Sequence, residues 1–555
     1  MKTKLFQVLV ILLLCVTPLS INAVNYFFTT SGAGDKDGSS WENAAEGDIL
    51  GLSLTSFEVG DSIFLGGGTY YPNMDDGFWT IPQGITIIGG FPATMSGVDT
   101  KIEYPSTSET FFSADYDGDG IGDNSGIGFI QIINPETTGV KENFKKATIQ
   151  GITITKSLYN GSSYKGGAMI VKNANVELNF VKFIDNVNGK TDGTLVKGGV
   201  LVTWGSYITC KDCIFRNNKS GAAGAAINLR QSGGGTSADV NDRCVGIFDR
   251  CEFTNNGSYD ATNTSSTYGG AAAIADYGGI LYLNNCTFSG SEIYANGGVL
   301  RVSTNCVLYC LNSTFVNNYA LRADKGYGEV MSLGTGTSNF FANNVIVNTT
   351  DDFNVAKALI YIQAASTACI SGGYNVWGTI QNNSQQYTFL ASDKLTESAS
   401  VVYTTPNVFG TNILTNNGGW SNTIKPEMNI SGMSVDNLLS LRNNWNLPTS
   451  IDVTLDQRGY TRSATTMSGA MDANGIAPVK TSVVKNIVNP MNISCVGDGY
   501  YKVEGVEGDA VVYCIDGRII MRMDTLINGS VIDLSSQDNG IYIISINGFN
   551  QKVIR

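Results

Sequence analysis

The sequence predicts an all-β solenoid, in which short strands wind into coils that stack on one another. A Gly-Gly step followed by a Phe-x-x-Asn turn recurs through the middle of the chain, as from Gly166-Gly167 to Phe183 and Asn186. The phenylalanines of this repeat follow one another at intervals of 26 to 38 residues: Phe183, Phe215, Phe253, Phe288, Phe315 and Phe341. Because a unit of this length cannot bury its apolar face alone, such repeats are typical of stacked coils.

The composition supports many short strands joined by tight turns. The 555 residues include 65 glycines, and only 15% of the residues are charged. Glycine and asparagine tolerate the positive φ values that tight turns need. The net charge is −13, which argues against nucleic acid as the main partner, since phosphate binding needs a basic surface. The chain has no histidine, which excludes Ser-His and Cys-His catalysis and argues against a zinc site.

Residues 1–23 have the features of a secretory signal peptide. Lys2 and Lys4 precede an apolar run over residues 5–16, and the small residue Ala23 ends the segment. We therefore expect export, with cleavage after Ala23. No later segment approaches 18 consecutive apolar residues, so we expect no transmembrane helix in the mature chain.

Three further segments follow the signal peptide. Residues 24–145 alternate short apolar strands with glycine turns and carry an acidic loop, and we expect them to cap the first coil, because a solenoid needs an atypical end unit. Residues 146–478 hold the repeat array and its closing region. Residues 482–555 have a β pattern of their own, which predicts a separate small β-sandwich.

Several motifs of the first two segments resemble known families. The pairing of Gly166-Gly167-Ala168 with Phe183 and Asn186 resembles the repeat of chlamydial polymorphic outer-membrane proteins. The lead-in, with residues 38–41 (GSSW) and 60–63 (GDSI), resembles the amino-terminal cap of secreted Bacteroidetes β-helix proteins. Residues 417–419 (NGG), 456–462 (DQRGYTR) and 468–472 (SGAMD) are similar to the closing motif of the choice-of-anchor Q family, which usually ends in Ile-Gly-Ala-Tyr-Glu. These resemblances imply a right-handed parallel β-helix and, from the first of them, an adhesin.

The carboxyl-terminal segment resembles the sorting domain of type IX secretion. The similarity covers residues 511–518 (VVYCIDGR), 532–535 (IDLS) and 540–543 (GIYI), with Lys552 and Arg555 at the basic end. It implies that the type IX machinery recognises residues 482–555 and delivers the protein to the cell surface or the medium.

A dense acidic motif lies within the second segment. Asp115, Asp117, Asp119 and Asp123 alternate with glycines and resemble the first nine positions of an EF-hand-type loop. Carboxylates at this spacing can surround a hard cation such as Ca²⁺ with oxygen ligands. The glutamate that closes such a loop is absent, because Gly126 holds the twelfth position. We expect a structural Ca²⁺ site, and the alternative is an acidic surface turn without a metal.

Catalytic candidates on this scaffold are weak. Hydrolysis of a polysaccharide needs two carboxyl groups across the scissile bond, and Asp351 and Asp352 are the one adjacent acidic pair of the repeat region. A lyase would need a base near an acidic Ca²⁺ site, for which Arg301 is one candidate. The basic residues that could line one face of the helix are Lys182, Lys211, Arg216, Arg230, Arg250 and Arg301. The alternative is that all of these residues are simply solvated.

Two further sets of residues recur at shared positions and predict internal ladders. Cysteines two residues before the repeat phenylalanine predict a stack of buried free thiols: Cys213, Cys251 and Cys286. Asparagines three residues after the phenylalanine predict an amide ladder that satisfies backbone groups of the turns: Asn186, Asn218, Asn256, Asn318 and Asn344.

The sequence therefore favours an exported, adhesin-like surface protein whose rigid rod binds glycans or host and surface proteins. The first alternative is a polysaccharide lyase or glycoside hydrolase that uses one face of the helix, and the second is a structural surface component. Carboxylates and basic residues that converge on one groove would favour the enzyme. A face with aromatic side chains such as Trp204 would favour binding, because amphipathic rings stack on sugars.

Overall fold

A computed structural model gives the fold of most of the chain. It describes residues 23–48, 50, 54–72, 77–92, 95–104, 106–123, 129–137, 139–159, 166–189, 199–220, 224–231, 243–258, 273–293, 298–320, 328–348, 359–362, 366–378, 380–381, 387–395, 408–411, 414–464, 466–478, 492–504, 508–514, 518–546 and 549–555. The predicted signal peptide, apart from Ala23, and the predicted catalytic pair Asp351 and Asp352 lie outside the described residues.

The chain divides into two compact units, with the boundary in the sequence between Ala477 and Pro478. The first unit contains four parallel sheets, and each coil of the chain contributes a strand to them in turn. This arrangement is a parallel β-helix, as the sequence predicts.

The first two sheets are the longest. The first sheet has 13 strands, in spatial order Ala45–Glu46, Asn25–Thr29, Ser62–Gly66, Thr86–Phe91, Lys146–Gln150, Asn175–Asn179, Tyr207–Lys211, Val245–Asp249, Ile280–Asn284, Val307–Leu311, Ser338–Ala342, Ala368–Gly373 and Tyr387–Thr388. The second sheet has 11 strands: Gly68–Tyr70, Thr110–Ser113, Ile152–Thr155, Lys182–Ile184, Ile214–Arg216, Glu252–Thr254, Thr287–Ser289, Thr314–Val316, Val345–Val347, Val376–Trp377 and Lys394–Leu395.

The other two sheets complete each coil. The third sheet has six short strands: Leu158–Tyr159, Val187–Asn188, Lys219–Ser220, Gly257–Ser258, Glu292–Ile293 and Tyr319–Ala320. The fourth sheet has ten strands: Trp79–Thr80, Ile130–Ile133, Met169–Lys172, Leu201–Trp204, Ile227–Arg230, Ile274–Tyr277, Leu300–Val302, Met331–Leu333, Ile360–Ile362 and Ile380–Gln381. The coils therefore continue to Leu395, beyond the last recognisable copy of the sequence repeat.

The interior is built from side chains that stack on their own equivalents. Phe183, Phe215, Phe253, Phe288 and Phe315 lie one above another in the second sheet. Their ring centroids are 4.4 to 5.0 Å apart and their planes differ by only 1° to 4°. This spacing matches the separation of neighbouring strands, which is about 4.8 Å. The repeat phenylalanines are thus a continuous core ladder.

The prediction for the last copy of the repeat is wrong. Phe341 lies in the first sheet opposite Cys310, and the residue that follows Phe315 in the phenylalanine ladder is Ile346. Asn344 likewise belongs to another corner of the coil, where its Oδ1 accepts a hydrogen bond of 2.9 Å from the backbone N–H of Ser313. The prediction failed because both corners use an amide side chain to form hydrogen bonds with backbone groups that would otherwise be unpaired. The motif Phe-x-x-Asn does not indicate which of the two corners it occupies.

The amide ladder itself runs as predicted through the earlier coils. Asn218 Nδ2 donates to the Phe183 carbonyl at 2.9 Å and to Asn256 Oδ1 at 3.1 Å, and Asn218 Oδ1 accepts from Asn186 Nδ2 at 3.2 Å. Asn348 takes the place that the sequence analysis gave to Asn344, since its Oδ1 accepts from the backbone N–H of Asn318 at 3.1 Å.

The cysteines inside the helix form a thiol ladder. All ten described cysteines are free thiols, and eight of them are buried. Cys251 Sγ donates to the Cys210 carbonyl and Cys286 Sγ to the Phe248 carbonyl, each at 3.4 Å. Burial raises the pKa of both thiols well above its usual value. These residues therefore serve as small core side chains rather than as reactive groups.

After the last coil, the chain turns back along the outside of the helix. This closing segment, residues 408–478, contains the helix Val435–Asn444, whose N-cap Ser434 accepts from the Asn437 backbone N–H. Two 3₁₀ turns, Leu54–Ser56 and Lys141–Asn143, lie earlier in the chain. No helix among the described residues is long and apolar enough to span a membrane.

The second unit, Pro478–Arg555, is a small antiparallel sandwich, as predicted. Its first sheet contains Asn492–Gly497, Tyr500–Glu504 and Val531–Asp533. Its second sheet contains Gly508–Cys514, Ile519–Leu526, Ile541–Ile546 and Phe549–Ile554. Both sheets contribute to one apolar core, which includes Val503, Val512 and Ile544.

Candidate functional site

The acidic loop follows the strand Thr110–Ser113 of the second sheet. The structure brings the carboxylates of Asp115, Asp117 and Asp123 together, with one oxygen of each within 4.8 Å of the others. Asp119 is not part of this cluster, and its Oδ1 accepts a hydrogen bond of 2.7 Å from the Ile121 backbone N–H. The structure therefore brings three of the four aspartates together.

Backbone hydrogen bonds and glycines fix the shape of this loop. Asp115 Oδ2 accepts from the Gly120 N–H at 3.1 Å, and Gly118 and Gly120 have φ values of 75° and 85°, which few other residues adopt. Gly122 packs so closely on the next coil that a Cβ atom there would lie 1.7 Å from the Lys156 carbonyl oxygen. The hydrogen bonds and glycines of the loop thus fix its shape and allow it to pack against the helix.

The oxygen atoms of the loop suit a hard cation. Asp115 Oδ1 is buried and has no hydrogen-bond partner among the described residues. Three carboxylates this close repel one another, and a bound cation would remove that repulsion. The donor set, which consists of oxygen atoms alone, is the kind that Ca²⁺ prefers.

The basic residues that the sequence offers as lyase candidates have other contacts. Arg216 forms hydrogen bonds of 2.6 and 3.0 Å with Glu252, which is fully buried. Arg250 forms a bidentate pair with Asp212, with both distances 2.7 Å. An arginine held in this way stabilises the carboxylate beside it and is not placed to abstract a proton from a substrate.

Lys182 also has a partner within the protein. Its Nζ lies 2.6 Å from Glu109 and 5.1 Å from the ring centre of Trp420. Tyr104 and Phe180 pack against the same tryptophan. The hollow between these side chains has a volume of about 20 Å³, which is enough for about one water and not for a sugar.

The remaining lyase candidates lie on other faces. Arg230 and Arg301 both sit in the fourth sheet, Arg230 opposite Trp204 and Arg301 between Ala275 and Ser332, and Lys211 sits in the first sheet. The structure therefore does not bring the predicted basic residues together in one groove.

The closing segment covers the corner between the first and second sheets. The Asn422 backbone N–H donates to Glu252 at 2.8 Å, and Gln457 accepts from Thr287 Oγ1 at 2.5 Å. Further along the helix, the Ala470 N–H donates to Thr314 Oγ1 at 2.9 Å. The two partners of each contact are up to 170 residues apart in sequence. Together the contacts reach several successive coils.

The motif that resembles the choice-of-anchor Q family forms this attachment. Arg462 is buried, and its guanidinium donates to Asn285 Oδ1 at 2.8 Å and to the carbonyls of Leu455, Met467 and Gly469 at 2.9 to 3.2 Å. Asp456 pairs with Arg458 at 2.6 Å. The motif therefore attaches the closing segment to the coils of the helix, and we call this attachment the clasp.

An aromatic row on the outer face of the first sheet belongs to the same attachment. Tyr282, Tyr309 and Phe340 stack face to face at 5.0 and 4.6 Å, and Trp445 of the closing segment packs 5.3 Å from Phe340. Because the rings cover one another, they present their edges outward. Stacking on a sugar needs an exposed ring face, so this row serves packing rather than glycan binding.

A buried ionic cluster beside the clasp was not foreseen from the sequence. Asp249 accepts from Arg250 at 3.1 Å and from Asn284 at 2.8 Å, and burial raises the pKa of its carboxyl to about 6 against the pull of Arg250. Asp212 and Arg250 both have positive φ, of 55° and 56°. The sequence signal for this cluster was that Asp212 and Arg250, which are charged, hold the corner position that asparagine usually holds.

Comparisons with known proteins add little beyond these contacts. No protein-family model matches the chain, and no curated protein matches it. Among solved structures it is similar to the pectate lyase Pel9A, at 12% identity and a TM-score of 0.33 over 74% of this chain and 95% of that one. It is also similar to PfbA, a surface adhesin of Streptococcus pneumoniae (13%, 0.28, 66% and 82%), and to a rhamnogalacturonan lyase (11%, 0.36, 75% and 98%). At these values the similarities carry no argument about activity.

The raised pKa of Asp249 predicts a specific pH dependence of stability. The folded state binds this proton more tightly than the unfolded state, so the contribution of Asp249 is present below pH 3.8 and is lost as the pH rises to about 6. Asp249→Asn removes the titration and should gain about 2–3 kcal/mol relative to the original protein between those pH values. Unfolding measured across this range tests it, and parallel pH profiles of the two proteins would contradict it.

Proposed function

We propose that this chain is an exported surface protein that acts by binding, with the β-helix as a rigid rod that presents glycan-binding or protein-binding surfaces. The proposal rests on one observation, which is that charged residues on the faces of the helix form ion pairs within the protein. Arg216, Arg250 and Lys182 each have a carboxylate partner within the protein, and the closing segment covers the corner where two of these pairs lie. A polysaccharide-cleaving site would need such groups accessible to substrate.

The proposal predicts that the protein does not cleave polysaccharides. The chain without residues 1–23 should release neither unsaturated uronate, followed by ultraviolet absorbance, nor new reducing ends from acidic and neutral polysaccharides, with or without Ca²⁺. Retention of one of these polymers, or of a surface protein, is the expected positive result. Turnover of any substrate would overturn the binding function and favour a lyase or a hydrolase, with Asp351, Asp352 and Arg301 as the first residues to replace.

We also propose that the acidic loop binds a structural Ca²⁺ through Asp115, Asp117 and Asp123. The proximity of these three carboxylates and the lack of a described partner for Asp115 Oδ1 support it. The ion would fix the loop against the Lys156 backbone. It is not placed beside a candidate catalytic group, so its proposed role is stability.

Calcium should therefore raise the melting temperature, because a ligand that binds only the folded state stabilises it. Asp115→Asn should abolish the shift between calcium and chelator. Asp119→Asn is the matched control, since Asp119 lies outside the carboxylate cluster and its Oδ1 acceptor is kept. Equal calcium shifts in both variants would show that this loop is not the site.

The second unit is proposed to be the export signal of type IX secretion, on the basis of its sequence resemblance and its sandwich fold. Removal of residues 482–555 should then leave the protein in the periplasm while the β-helix still folds. Fractionation with an antibody against the β-helix measures this. Unchanged delivery to the cell surface would contradict the assignment.

A further inference from the structure

One connection between the fourth and the first sheet is much longer than those that follow it. In the coil that contains the strands Ile130–Ile133 and Lys146–Gln150, residues 134–145 join the two sheets. In the next two coils, residues 173–174 and 205–206 are enough to make the same connection. The 134–145 loop therefore leaves the path of the coil at this point. Loops held on a rigid scaffold are where binding residues are most often found.

Contacts with the next coil and within the loop fix the 134–145 loop. Asn175 Nδ2 donates to the carbonyls of Glu142 and Phe144 at 2.6 and 3.2 Å. Lys141 is buried, and its Nζ donates to the Thr137 carbonyl at 2.8 Å and lies 4.9 Å from the ring centre of Phe144. These partners compensate the buried ammonium for the water that it loses. The loop therefore holds its shape before any ligand binds.

A surface depression lies between this loop and the turns of two preceding coils. Val59 and Gln83 line it from those turns, and Ile133, Asn143 and Phe144 line it from the coil that carries the loop. Its volume is about 440 Å³, which falls in the range of about 300–1,000 Å³ that is typical of ligand sites. Because successive coils are about 4.8 Å apart, three coils give this loop depression a length of about 10 Å, enough for two linked sugar rings.

The loop depression offers hydrogen-bonding groups that the protein itself does not use. The side-chain amides of Gln83 and Asn143 form no hydrogen bond with the described residues, and both side chains reach solvent. Each amide carries two N–H donors and one carbonyl acceptor. Neighbouring hydroxyl groups of a sugar present the complementary acceptors and donors. The two amides therefore suit a ligand that is rich in hydroxyl groups.

The rest of the lining combines apolar surface with balanced charge. Val59 and Ile133 are large apolar residues that are 41% and 47% exposed, and Phe144 beside them is partly exposed. Such surfaces accept the C–H faces of sugar rings. The charged residues of the lining are one acid, Glu136, and one base, Lys145, and both are exposed to solvent. An ionic ligand of either sign therefore gains no net attraction here.

We propose that the loop depression binds an uncharged, hydroxyl-rich saccharide. The amides of Gln83 and Asn143 form hydrogen bonds with its hydroxyl groups. Phe144, Val59 and Ile133 contact the apolar faces of its rings. An extended peptide would instead need an unpaired strand edge, and the strands around this depression are paired on both sides. This inference rests on the proposed binding function and names its ligand class and site.

The test measures binding of fluorescently labelled laminarihexaose, maltohexaose and xylohexaose to the chain without residues 1–23 by fluorescence polarisation. At least one of these neutral sugars should bind, with an affinity that added salt leaves unchanged, because binding neutralises no charge. Gln83→Ala with Asn143→Ala should weaken binding by about tenfold or more, since the hydrogen bonds of both amides are lost. The control pair Asn444→Ala with Asn474→Ala, at exposed positions of the closing segment, should leave binding unchanged.

Other results would overturn the inference. Unchanged binding by the Gln83 and Asn143 double variant, or equal loss in both double variants at unchanged melting temperature, would remove the loop depression as the site. Tighter binding of an alginate hexamer than of every neutral sugar would contradict the uncharged ligand class. Binding of labelled casein peptides in place of all three sugars would overturn the saccharide assignment in favour of a protein ligand. Absence of sugar binding would refute the ligand class and leave the binding function standing, whereas cleavage of a sugar would refute the binding function itself.

Discussion

The structure depends on one constraint, which is the residue-for-residue register between successive coils. Each strand pairs in parallel with the equivalent strand of the next coil, so every side chain lies about 4.8 Å from its own counterpart. Like residues therefore stack on like, and the interior becomes a set of ladders of phenylalanine, asparagine and cysteine. A single change of register would interrupt several ladders at once, because successive residues point to opposite sides of the sheet.

The same constraint determines what the outer surface can do. The corner between the first and second sheets presents one turn per coil, and the closing segment forms hydrogen bonds at these turns from Gln457 to the Cys251 carbonyl, from Arg462 to Asn285 Oδ1 and from the Ala470 backbone to Thr314 Oγ1. The charges at that corner are enclosed by the clasp and by their own ion pairs.

Much of the fold could be predicted from the sequence, since a repeat with fixed internal spacing specifies stacked coils whatever its exact strand bounds. Phe183, Phe215 and Asn218 occupy the positions that the pattern indicates. Phe341 and Asn344 do not, because the same letters suit two different corners of a coil. The site was less predictable. The four aspartates are visible in the sequence, but only the structure shows that Asp119 lies outside the carboxylate cluster. The clasp joins residues such as Asn422 and Glu252, which are 170 positions apart and carry no local signal of their contact.

Hydrogen exchange of the closing segment tests the central claim most directly, because the claim that the helix-face charges are structural requires a stable clasp. The account predicts slow exchange at the backbone amides of Asn422, Gly469 and Ala470, which donate to Glu252, Asn343 and Thr314 of the helix, at rates comparable with those of the second-sheet strands. Fast exchange at these three amides, with slow exchange in the strands beneath them, would mean that the corner opens and that Arg216, Arg250 and Glu252 are accessible to a substrate after all.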